Sequence, residues 1–222
     1  MFIPFYNKSI RNLVVAFGSL FNNIRIQKKN SSGTPTLEYV VPISYGPKER
    51  FIRMLNEPNS NDDGTTVIQT TWPRMNFQLS GAAYDPGRKQ NSLVKKQMTI
   101  AEEDTTKTYS YVEVPYNFTF TLDIASRTID EGLQILEQIL PYFSPGFTVS
   151  LNMTSINTKV DVPVVLRSVA PTEEYIGDGE TKRTLAWTLV FDAKSFVYGP
   201  TKNIGLIEEA TVNLLDWSLL EE

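Results

Sequence analysis

Residues 112–124 constrain the fold more than any other stretch. Val112, Val114, Tyr116, Phe118, Phe120, Leu122 and Ile124 share one parity, while Asn117, Thr119, Thr121 and Asp123 hold the other. Successive side chains of a strand point to opposite faces, so the run reads as a long strand with one buried and one wet face. Parallel sheets are covered on both faces and read as continuous apolar runs, so a half-buried strand of this length implies a predominantly antiparallel sheet.

Such a sheet needs an apolar cover, and two segments offer one. Residues 5–21 place Ile10, Leu13, Val14, Phe17, Leu20 and Phe21 at the spacing of one helical stripe. Thr128 and Glu131 have the spacing of a capping box, in which the hydroxyl takes the third amide and the carboxylate reaches back. Leu133, Leu136, Leu140 and Phe143 make the stripe that follows, closed by Pro141 and Ser144-Pro145-Gly146.

Further strands read at 24–28 and 37–43, joined by a turn-rich stretch at 30–35, and at Met75/Phe77/Leu79 alternating with a wet Asn76/Gln78/Ser80. Others read at Phe147/Val149/Leu151/Met153, at 162–169, and at Leu185/Trp187/Leu189/Phe191, with Gly177-Asp178-Gly179 as a hairpin loop between the last two. Pro47 opens a short helix carrying Phe51, Ile52 and Leu55. Residues 56–66 form a polar loop, and 84–108 read as a long surface excursion. The sum is one α+β domain over 1–200, a predominantly antiparallel sheet flanked by the helices at 5–21 and 128–143. The tail, 201–222, carries Ile204, Leu206, Leu214, Leu215, Trp217, Leu219 and Leu220, enough apolar surface to dock on its own or a neighbouring subunit.

With 222 residues the chain can bury a core without staples. It has no Cys and no His, which excludes disulfides, thiolate nucleophiles, His-based triads and Cys/His zinc sites. Acid–base chemistry would have to rest on carboxylates, Lys or Tyr. Carboxylates cluster at Glu102-Glu103-Asp104, Glu173-Glu174 and Asp178-Gly179-Glu180, in segments that read as loops, where solvated charge is the default. A carbohydrate- or metal-binding module or enzyme built on those loops is the alternative reading. No cofactor fingerprint is present, since Gly177-Asp178-Gly179 lacks the dinucleotide spacing.

Lys8 and Arg11 precede an apolar run at 13–21, but Asn22-Asn23 follow without a cleavage site. No stretch approaches the roughly 18–20 apolar residues of a membrane span. The segment reads as an amphipathic helix of a cytosolic protein. The net charge of −4 hides an asymmetry: residues 1–100 hold 13 basic and 6 acidic groups, and 101–222 hold 8 and 19. Opposite-signed faces would set the register of a head-to-tail association. Arg88, Lys89, Lys95 and Lys96 form a basic cluster, but four charges with no aromatic platform nearby are a weak phosphate site.

The segments FYNKSIR (5–11), VPISYGPKERF (41–51), WPRMNFQL (72–79), YDPGRKQNSL (84–93), EQILPYFSPGF (137–147), TKRTLAWTLVF (181–191) and FVYGP (196–200) follow one another in an order and spacing that spans most of the chain. By these the chain resembles the tail sheath stabiliser and completion proteins, or tail terminators, of T-even-type contractile-tailed bacteriophages. The resemblance implies a non-enzymatic structural protein of the virion, assembled in the host cytoplasm as a hexameric ring at the head-proximal end of the tail. Its implied partners are copies of itself, the tail tube protein, the tail sheath protein and neck or head-completion proteins. DNA would pass through the lumen without sequence-specific binding, and neither membrane nor cofactor is involved. The chain ends 22 residues after Pro200, sooner than the family pattern leads one to expect. A ring that matches its neighbours on one side only ends their growth, and exposed edges and loops are where that match is made. The interface residues so singled out are Lys48, Glu49, Arg50, Arg88, Lys89, Lys95, Lys96 and Trp217, and charge reversal at Arg88 and Lys89 is expected to weaken assembly without unfolding the monomer.

Overall fold

The alternating run lies at the centre of a six-stranded sheet, in a computed structural model that describes residues 4–29, 35–47, 72–98, 107–144, 146–153, 158–175 and 183–204. In chain order the elements are α1 (Ser9–Ser19), β1 (Arg25–Lys29), β2 (Pro35–Val40), β3 (Ile43–Tyr45), β4 (Arg74–Tyr84), β5 (Lys95–Met98), β6 (Lys107–Tyr111), β7 (Val114–Ser126), α2 (Ile129–Ile139), β8 (Phe147–Met153), β9 (Thr158–Tyr175), β10 (Arg183–Val197) and β11 (Thr201–Ile204). The large sheet runs β3-β4-β7-β10-β9-β8, antiparallel throughout except for the parallel pair β3/β4. β1 and β2 form a hairpin, and β11-β6-β5 a small third sheet. The described residues are thus a strand-rich α+β fold.

Register stacks the apolar parity of β7 onto its neighbours. Phe120 lies opposite Phe191 and Leu79, Leu122 opposite Leu189 and Phe77, and Ile124 opposite Trp187 and Met75. Onto this face α1 lowers Phe17, whose ring stacks on Phe120 at 4.3 Å and meets Phe191 edge-on at 5.3 Å. Leu13 and Phe21, one turn either side, are buried with it. The helix also lies against β8 and β3, the two ends of the strand order, so the curled sheet closes around it.

The opposite parity is wet only in part. Asn76 and Asp123 face each other across β4 and β7 and are both 2% exposed, contrary to the expectation that Asn76 lies on a solvated face. Burial is tolerated because they are hydrogen-bonded. Asn76 Nδ2 donates to the Gly46 carbonyl at 2.8 Å, and the Thr188 hydroxyl donates to Asp123 Oδ1 at 2.7 Å.

α2 begins where its cap predicts, with the Thr128 hydroxyl accepting from the Glu131 amide at 3.4 Å. The reciprocal half of the box is replaced: the Glu131 carboxylate pairs with Lys28 of β1 at 3.5 Å. The predicted stripe is corrected too. Leu133 and Leu140 are 42% and 41% exposed, and Gly132, Ile135, Leu136 and Ile139 face inward. Glycine decides this, since a Cβ at Gly132 would stand 2.7 Å from Trp187 Nε1 and 3.1 Å from Ser126 Oγ. The helix approaches the sheet through the one residue thin enough to allow it. Gly132→Ala is therefore expected to destabilise the chain by up to about 2 kcal/mol, because overpacking of about 1–3 kcal/mol is offset only by a helix-propensity gain near 1 kcal/mol. Urea unfolding checks this, and a stabilised variant would refute the close-packing argument.

α2 also closes an edge. Gln138 accepts from the Arg25 amide at 3.3 Å and donates to its carbonyl at 2.6 Å, and Gln134 accepts from the Gln27 amide at 3.1 Å. Two glutamines one turn apart thus act as a substitute strand along β1.

Three sequence expectations change at boundaries. The strand at 37–43 divides, because Val41-Pro42 ends β2 and Ile43 joins β3 beside β4. The span 84–108 is no simple excursion: it holds a 3-10 turn at Pro86–Arg88, all of β5 and the start of β6. Glu173 and Glu174 lie within β9 rather than in a loop. Antiparallel pairing of Tyr175 with Arg183 sets β9 and β10 as a hairpin. Its Gly177-Asp178-Gly179 turn, the residues of the expected helix after Pro47, Phe51 to Leu55 among them, and the 56–66 loop lie outside the described residues.

Candidate assembly interface

The basic cluster separates into residues with different work. Asp85 caps the turn after β4, accepting from the Gly87 amide at 3.0 Å and from Arg88 Nε at 2.8 Å. Arg88 Nη2 then donates to the Tyr116 carbonyl at 3.2 Å and to Asn117 Oδ1 at 2.8 Å, and its guanidinium lies 5.1 Å from the Phe196 ring centre. One side chain therefore ties the end of β4 to the start of β7 and the end of β10. Its fork geometry suits several acceptors in one plane.

The Arg88 hydrogen bond is the main cause that holds the Asp85 carboxyl below the usual carboxylate range, with the Gly87 amide and Asn117 adding to it. A depressed carboxyl contributes stability above its unfolded pKa and loses it as pH falls through the folded value. Asp85→Asn is thus expected to flatten the acid limb of the melting temperature below about pH 4. Parallel acid limbs in the two proteins would show that the pair adds nothing.

Lys96 pairs with Glu113, and Lys95 lies opposite Tyr111 in the β5/β6 register, its ammonium 5.0 Å from the Tyr109 ring centre and 6.0 Å from that of Tyr111. The cluster does have an aromatic platform, contrary to the sequence expectation; strand pairing supplies it from 14 and 16 residues away. Among the described residues, no carboxylate pairs with Lys89 or Lys95, and both are exposed. Lys48, Glu49, Arg50 and Trp217 lie outside the described residues, as do Glu102 to Asp104 and Asp178 to Glu180. No group of three or more Asp or Glu among the described residues is placed to hold a metal ion.

Two surface features escaped the sequence reading. Leu93 is 82% exposed in a turn between Arg88 and β5 and is followed by the half-exposed Val94. An open groove of about 540 Å³ runs between the ends of α1 and α2, lined among others by Leu20, Ile24, Ile139, Phe143 and Phe147, together with Glu137 and the exposed Tyr142. The only sequence signal for the turn was Asn91-Ser92, a turn former before two apolar residues. The groove had none, because its walls come from three separate elements.

In comparison with known proteins, residues 4–218 match the family of T4-like virus Myoviridae tail sheath stabilisers. The chain is also 35% identical over 214 residues to the tail completion protein gp15 of Enterobacteria phage T4, covering 93% of this chain and 77% of that one. It belongs to the tail sheath stabiliser family and is a structural protein of a bacteriophage tail.

Proposed function

We propose that this chain closes into a hexameric ring at the head-proximal end of the contractile tail. There it caps the last tube and sheath rings and offers a surface to neck or head-completion proteins. The family match over nearly the whole chain carries this reading. Each tube or sheath ring leaves one face unsatisfied, and a collar complementary on one side only stops further stacking. Heterologous contacts between identical subunits close into rings when the rotation permits, and the unequal charge of the two halves of the chain favours such head-to-tail pairing. DNA would thread the lumen without base-specific contacts, and the residues beyond Ile204 would dock on their own or a neighbouring subunit.

The test is electron microscopy of particles carrying this chain with a bulky label, alongside particles that lack it. The expected result is label at the neck, and loose sheath or irregular tail length when the chain is missing. Label at the baseplate, or normal tails without the chain, would end the proposal.

A further inference from the structure

We propose that Leu93 anchors the contact between neighbouring copies, seating in the groove between α1 and α2 of the next subunit. This rests on the ring reading, and it names which two surfaces of the chain meet.

Single exposed hydrophobes are common and need no explanation. Leu93 differs in how firmly it is held. The Val94 amide donates to the Asn91 carbonyl at 3.2 Å, closing a β-turn, and the Leu93 amide donates to Asn91 Oδ1 at 3.1 Å. Val94 in turn accepts from the Val112 amide at 3.3 Å, fastening the turn to the strand region behind it. An apolar side chain presented on a locked turn surrenders little conformational entropy when it docks, which is how interface anchors achieve affinity.

The groove offers the complementary shape and chemistry. Its volume of about 540 Å³ accommodates a leucine with its neighbours, and Ile139, Phe143 and Phe147 give it an apolar wall. Glu137 also lines it and Lys95 lies two residues beyond the leucine; among the described residues neither has an ion-pair partner in its own chain. Docking brings the two charges together, fixing register more than adding affinity. Tip and groove share no residue, so their contact can pass from copy to copy and close as a ring, whereas a reciprocal two-fold pairing of the same surfaces would stop the cross-linked products at the dimer.

Because the chain has no cysteine, introduced thiols report contacts between copies without background from the chain itself. Tails assembled from the Leu93→Cys/Tyr142→Cys double variant and treated with a short bismaleimide are expected to give a ladder of covalent oligomers. Tails carrying either single variant are expected to give none. In parallel, Leu93→Asp is expected to lower the number of tails bearing the ring at least about tenfold with an unchanged monomer melting curve, and Leu93→Met to retain it. Full ring occupancy with Leu93→Asp, or dimers from Leu93→Cys alone, would overturn the contact while leaving the ring reading intact. The same follows if thiol at Tyr142 couples only to one placed at Trp217, which would identify the tail as the groove's occupant. A wild-type chain that forms no ring on tails would end both.

Discussion

Replacing Phe17 by alanine is expected to destabilise the chain by about 3–5 kcal/mol, the range for deleting a buried aromatic ring. Phe17 is 1% exposed, and its ring centre lies 4.3 to 5.7 Å from those of Phe120, Phe21, Phe191 and Phe77. These rings come from β7, the end of α1, β10 and β4, so no one of them can move into the space without opening another contact. A cavity then remains where α1 meets the curled sheet, and the cavity adds to the lost transfer free energy. Whole domains are stable by only about 5–15 kcal/mol, so the variant would stand close to unfolding at host temperature. Ile10→Ala is the control: it lies on the same helix but is 42% exposed, and a change within about 0.5 kcal/mol is expected. Urea midpoints of the two variants decide the matter. Equal shifts would mean that α1 is not held through Phe17.

What the sequence disclosed follows from where the physics is local. β7 was legible because each of its residues reports its own face, and the Thr128 cap because its partner is three residues away. The stripe of α2 was not legible, since two leucine-rich faces compete and the choice rests on Trp187, 55 residues from Gly132. The burial of Asn76 depends on Gly46 and on Asp123 across the sheet, which alternation cannot register. β5 and β6 carry Lys, Gln, Tyr and Ser in short strands with no apolar parity, so they exist by pairing rather than by pattern. Motif order was more informative than any of these for identity. YDPGRKQNSL, for instance, holds both the Asp85–Arg88 tie and the Leu93 tip, although composition alone gives no hint that the two do different things.

That difference predicts that Arg88 and Lys89, adjacent in sequence, fail in opposite ways when reversed to glutamate. Arg88 is turned into its own chain, where Asp85, the Tyr116 carbonyl and Asn117 Oδ1 are all acceptors. Arg88→Glu removes every donor from that site and sets a second carboxylate beside Asp85. Hydrogen bonds to charged groups contribute about 1.5–3 kcal/mol, so a loss of at least about 2 kcal/mol in the stability of the monomer is expected. Any assembly defect it shows is secondary to unfolding. The Lys89 side chain has no partner among the described residues and is exposed, so Lys89→Glu is expected to change monomer stability by no more than about 0.5 kcal/mol. Its effect, where Lys89 meets an acidic neighbour, falls on the salt dependence and rate of tail attachment, where rim charges act. Melting curves of the two purified variants, measured beside the yield of sheathed tails at low and high salt, separate the cases. A stable Arg88→Glu monomer with defective tails would support Arg88 as an interface residue, and salt-independent, normal tails from Lys89→Glu would remove Lys89 from the interface.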